Sequence, residues 1–145
     1  MRSMNTHLDF DLNLAKDQSD KNPVFYLQYA YARICNIIRH GEGQNYKFSD
    51  HFDATLLHQS SEIKLLKLMS NFPTMMETAL DTLEPQIIAN YLQELASSFH
   101  KFYGNCKVIT EDKNISQARL GLINGTKIIL STGLSILGIS APEKM

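Results

Sequence analysis

Tryptophan is absent from the 145 residues, and cysteine (two), proline (four) and glycine (seven) are scarce. So little proline and glycine excludes a collagen or a low-complexity chain. Cys35 and Cys106 lie far apart and suit a reducing compartment better than a disulfide framework. Neither has a nearby cysteine with which to build a zinc site. Charge of one sign is not in excess either, with 14 basic and 15 acidic side chains and a formal net of -1. That excludes a strongly basic protein coating DNA non-specifically, but leaves room for a small RNA-binding face. The longest apolar runs are interrupted within about ten residues, too short for a membrane span, and residues 8–14 do not form a signal-peptide core. The expectation is a soluble cytoplasmic domain that engages neither membrane nor DNA.

What is present is mostly helical periodicity. Residues 1–21 read as an attached lead-in, because Leu8, Phe10, Leu12 and Leu14 alternate with polar residues like a strand without a partner. The remainder, 22–145, carries 11 basic and 11 acidic residues. Asn22 and Pro23 open a first helix whose inner face is Leu27, Tyr31, Ile34 and Ile38, and Gly41 is expected to end it. A polar loop follows over 41–53. A second helix is expected from Ser60 to Phe72 with Ile63, Leu66, Leu68 and Met69 inward, broken by Pro73 before a short helix over 74–83. Pro85 opens a long helix from Ile87 to Tyr103, with Gly104 as its left-handed stop. Residues 105–113 read as a loop. Asn114 and Gln117 suggest a capping box for a last helix over about 115–137, apolar over much of its circumference and therefore central. Gly121, Gly125 and Gly133 would admit a close neighbouring helix, and Gly138 ends it. The composite is an all-α bundle of five or six helices.

Recognisable catalytic spacing is missing. Phosphate-binding glycine loops, H-E-x-x-H and C-x-x-C do not occur. His51, Asp53 and His58 lack a fourth ligand for a metal. His100 is expected on a solvent-facing helix flank, and Cys35 as a small buried group. A hydrolase using Cys106 or Cys35 would need His100 within reach of the thiolate. The stronger pattern sets aromatics beside cations. Tyr26, Tyr29 and Arg33 form one stripe, and Lys101, Phe102, Tyr103 and Lys107 cluster where a helix meets a loop. Aromatic faces hold unstacked RNA bases while cations meet phosphates. Tyrosines at helical spacing are also ordinary core residues, so this pattern leaves both readings open.

Three long segments decide more. THLDFDLNLAKDQSDKNPVFYLQYAYARICNI (6–37), LEPQIIANYLQELASSFHKFYGNCKVI (83–109) and SQARLGLINGTKIILSTGLSILGISAPEKM (116–145) resemble the C-terminal end of the arginyl-tRNA synthetase family. The first is similar to the junction between that class I enzyme's catalytic and anticodon-binding domains. The resemblance implies an all-helical anticodon-binding domain of the Asp-Ala-Leu-Arg type. Its namesake pattern corresponds to Ser116–Gln117–Ala118–Arg119–Leu120, where the acid is absent. Relatives commonly carry histidine where this chain has Tyr31. The HIGH-like and KMSKS-like motifs and the mononucleotide-binding sheet do not occur, so the chain is expected to be a non-catalytic fragment. Residues 1–21 would then be the remnant of the catalytic domain, and 22–145 the anticodon-binding domain.

The implied partners are tRNA for arginine and the catalytic domain of the same enzyme. No cofactor is implied for this stretch; ATP with magnesium belongs to the catalytic domain, which attaches arginine to the tRNA. Carried over residue by residue, the resemblance implies a stacking role for Tyr103 and an RNA contact for Lys107 in the following loop. Tyr29 and Arg33 would face the anticodon stem or loop, and Met145 would fold back towards it. Arg119 would either meet phosphate or anchor helices, while Gln28 and Asn105 would read base edges. Competing readings are the corresponding domain of another class I ligase, such as the cysteinyl one, and a helical protein-interaction domain.

Overall fold

A computed structural model describes residues 11–44, 46, 49 and 51–145. Among them are six helices and a single 3-10 turn: α1 (Leu12–Lys16), α2 (Pro23–Gly43), the turn Ala54–Leu56, α3 (Ser60–Ser70), α4 (Phe72–Thr82), α5 (Gln86–Asn105) and α6 (Lys113–Ile136). No strand occurs among the described residues, so the all-α expectation holds.

Local chemistry explains where the helices begin. Asn22 caps α2 by accepting from the amides of Val24 and Phe25 at 3.0 and 3.3 Å. Its own amide group donates to the carbonyls of Ala15 and Asp17, tying the lead-in to the bundle. That lead-in is not extended: Asp11 accepts from Asn13 and Leu14 and starts the short α1. The alternating pattern therefore fails over 12–16, because a side-chain cap satisfies amides that a lone strand would leave unpaired. Leu8, Asp9 and Phe10 lie outside the described residues. α6 is capped by Asp112, which accepts from Asn114 and Ile115, two residues before the cap expected at Asn114.

The ends of the helices also differ in detail. α2 continues past Gly41, which is buried against Ile109, and runs to Gly43. Gly104 stays helical; among the described residues the left-handed positions are Leu83 (φ 56°) and Gly138 (φ 71°). Pro73 falls at the start of α4 and separates it from α3, as expected.

The core sits among α2, α5 and α6, with α3 packed on α5 and α6 and α4 laid against α5. Leu27, Ile34, Leu92, Leu95, Phe99, Phe102, Leu130 and Leu134 are among its fully buried side chains. On α3 the inward residues are Glu62 and Leu65, whereas Ile63 and Leu66 face solvent. Of the expected inner face of α3, Leu68 and Met69 do pack against the core, while Ile63 and Leu66 are displaced by Glu62 and Leu65. At the α6 glycines, Gly125 meets the Met69 methyl of α3 and Gly133 the Leu92 side chain of α5, while Gly121 meets the Phe52 ring of the loop preceding α3. No helix among the described residues is long and apolar enough to cross a membrane.

Candidate nucleic-acid interface

Positions 29, 33, 36 and 40 of α2 follow a 4-3-4 spacing, so Tyr29, Arg33, Asn36 and His40 share one helix face. The last turn of α5 brings Tyr103 alongside. The Arg33 guanidinium carbon lies 5.1 Å from the centre of the Tyr29 ring and 5.0 Å from that of Tyr103. A planar cation between two rings is held by their quadrupoles, at roughly 0.5–2 kcal/mol per contact. Both tyrosines remain 39% exposed. Behind them Phe25 lies nearly parallel to Tyr29, with centroids 6.5 Å apart, and Phe99 stacks on Tyr103 at 6.1 Å. The result is a supported aromatic platform with an arginine at its centre.

Recesses flank this platform. One of about 460 Å³ is lined by Tyr29, Arg33, Asn36 and Arg39 on α2 and by Glu143, Lys144 and Met145 of the tail. A second, about 510 Å³, lies between Asn36, His40 and Gln44 on one side and Tyr103, Lys107 and Ile109 on the other. A third, about 410 Å³, is lined by Asp20, Phe25, Tyr26, Tyr29, Arg33 and His100. Asn36 is exposed and stands at the seam of the first two.

Five of the eight expected residues therefore converge: Tyr29, Arg33, Tyr103, Lys107 and Met145. Asn105 is exposed at the end of α5 but lines none of these recesses. Gln28 points elsewhere, donating to the Ser140 carbonyl at 2.9 Å and to its hydroxyl at 3.2 Å. That contact fastens the tail. Arg119 is 8% exposed and bridges two elements, donating to Glu62 Oε1 of α3 at 2.7 Å and to the Lys107 carbonyl at 2.7 Å.

His100 is not on a solvent-facing flank. Its ring packs on Tyr26, Tyr29 and Phe99 at 5.2, 6.0 and 5.3 Å, and Nε2 is buried without a hydrogen-bond partner among the described residues. Burial, with Arg33 adding to it, pushes the imidazole below its usual pKa. Tyr31 is buried in α2, with the Lys127 ammonium 5.8 Å from its ring centre, and burial raises its phenol. Neither thiol is paired with His100: Cys106 meets Ser61 Oγ at 3.6 Å, and Cys35 is buried beside Tyr31. Asp53 is a cap, accepting from the Thr55 hydroxyl and amide, which hold its carboxyl below the usual range. Asn36, Arg39 and His40 were missed from the sequence. The helical spacing from Tyr29 would have found Asn36 and His40.

A helical bundle presenting a cation between tyrosines is the kind of surface that single-stranded RNA stacks on, and comparison with known proteins gives it a family. Residues 27–145 match the family described as DALR anticodon binding domain, and the chain belongs to that family. Over its whole length it is 44% identical to the arginine--tRNA ligase of Salinibacter ruber and 46% identical to that of Symbiobacterium thermophilum. It spans 26% of each of those relatives. Its fold is also similar to the Thermus thermophilus arginyl-tRNA synthetase, with a TM-score of 0.80 and 29% identity, covering 95% of this chain and 24% of that one.

Proposed function

We propose that this chain recognises the anticodon loop of tRNA for arginine, as the C-terminal domain of an arginine--tRNA ligase. The observation that carries this reading is the Tyr29–Arg33–Tyr103 sandwich with recesses on either side. A base stacking on Tyr103 takes over the face now covered by the guanidinium, which turns to a neighbouring phosphate. Lys107 and Arg39 supply further phosphate contacts at the edges. Met145 closes the first recess.

On this reading the partner is the catalytic part of the same cytoplasmic enzyme, which uses ATP with magnesium to attach arginine. Residues 1–21 belong to the end of that part, and the helical domain starts at the Asn22 cap. The chain itself performs recognition and no chemistry.

The test is a low-salt titration of the chain against tRNA for arginine, the same tRNA with an altered anticodon, and an unrelated tRNA. The first is expected to bind tightest. Stacking contributes about 1–3 kcal/mol per base, so Tyr103→Ala is expected to weaken that binding about fivefold or more. Equal or absent binding to all three overturns the reading.

A further inference from the structure

Lys107 sits in the connection between α5 and α6, and its backbone is tied down from both sides. Cys106 donates its amide to the Phe102 carbonyl at 2.8 Å, and its sulfur meets Ser61 of α3. The Thr110 amide donates to Ser116 Oγ of α6 at 2.9 Å. Between these ties, the Lys107 carbonyl accepts from Arg119 Nη1. Arg119 is itself aimed by Glu62, whose Oε1 accepts from Nε and whose Oε2 accepts from the Gln59 amide at 2.8 Å. Glu62 is fully buried. One guanidinium thus bridges a carboxylate of α3 and a carbonyl of the loop that edges the second recess.

A buried ion pair is a poor device for stability alone, because desolvation offsets most of its attraction. It is a good device for fixing direction, since the planar arginine fork sets the angle between its two acceptors. Arg119 is too enclosed to meet RNA itself, yet it holds the residue that can.

We propose that Arg119 is a positioning residue for tRNA binding. Gripped by Glu62, it fixes the Lys107 backbone and so aims the exposed Lys107 ammonium at a phosphate. This rests on the RNA reading above, and the experiment separates the two.

Binding of the full chain to tRNA for arginine is measured across a salt series for the parent, Arg119→Lys, Lys107→Ala, their combination, and Tyr103→Ala. Circular dichroism and thermal melting report the fold of each. Lysine at 119 keeps the charge facing Glu62 but its single ammonium cannot reproduce the fork. Losing one phosphate contact lowers the slope of log K against log salt by about 0.7–0.9. Arg119→Lys is expected to show that drop, Lys107→Ala to match it, and the combination to add nothing. Should Arg119→Lys not fold, the uncharged pair Glu62→Gln with Arg119→Gln takes its place with the same expectation. A merely structural arginine would change the melting temperature and leave the slope at the parent value. That result, with Tyr103→Ala still weakening binding, overturns the positioning role and spares the RNA reading. If Tyr103→Ala and Lys107→Ala are both without effect, the RNA reading falls and the positioning role with it.

Discussion

A histidine ring packed on three aromatic rings has little to gain from a proton. In His100 burial disfavours the imidazolium and Arg33 repels it, so the folded pKa lies below the usual His value. The unfolded chain takes up that proton near pH ~6.5, while the folded chain resists it. The His100 contribution to stability is therefore complete above the unfolded value and is lost as pH falls through it towards the lower folded one. His100→Phe keeps a ring of similar size and removes the titration. The expected result is a weaker loss of stability between neutral pH and pH 5 than in the parent, read by urea unfolding at several pH values. Identical pH profiles would mean that His100 titrates freely. The other four histidines are common to both proteins, so the difference between the profiles reports position 100. Nothing in the sequence around position 100 announces this environment. The stripe Tyr26, Tyr29, Arg33 was visible, but the ring that completes it comes from α5, and tertiary packing alone brings it there.

Helix ends follow backbone geometry more closely than residue type. Gly104 lies inside α5 with helical backbone and open space where a Cβ would go, whereas the left-handed position closing α4 is held by Leu83. Leucine pays a steric penalty of about 1–2 kcal/mol there, and its side chain recovers little because it is 69% exposed. Two substitutions are accordingly expected to stabilise the bundle. Gly104→Ala should add about 0.5–1 kcal/mol through helix propensity. Leu83→Gly should add up to about 1 kcal/mol, its lower strain offset in part by a freer unfolded chain. Chemical denaturation of each variant checks both, and a loss at either site would show that its backbone differs from this geometry. The elements themselves were legible: caps at Asn22, the Pro73 break and the long periods of α2, α5 and α6 are local signals. The face of α3 was legible only in part: Leu68 and Met69 pack against the core, but Glu62 turns inward to meet Arg119, 57 positions away, and no local pattern encodes that partner. Gly121 was legible as a close approach, but the Phe52 ring that fills it comes from a loop without periodicity.

Across the whole molecule, the candidate interface gathers α2, the end of α5 and the last residues of the chain. Basic and acidic side chains balance over 22–145, so long-range attraction to RNA is weak and placement of a few groups must decide affinity. Placement of the tail depends on few ties. Ile139 and Ala141 pack against the core, Gln28 holds Ser140 by two hydrogen bonds, and Glu143 lies 3.9 Å from Arg39 and 4.0 Å from Lys127. The two ion pairs are exposed and contribute little, which leaves Gln28 as the main polar fastening. A partly exposed hydrogen bond adds roughly 0.5–1.5 kcal/mol at most, so Gln28→Ala should barely shift the melting temperature. The same change frees Lys144 and Met145 from the first recess and should weaken tRNA binding severalfold. Removing residues 143–145 should reproduce the effect and make Gln28→Ala silent in that background. If Gln28→Ala instead lowers binding as much in the shortened chain as in the full one, glutamine 28 acts on RNA directly and the tail is a bystander.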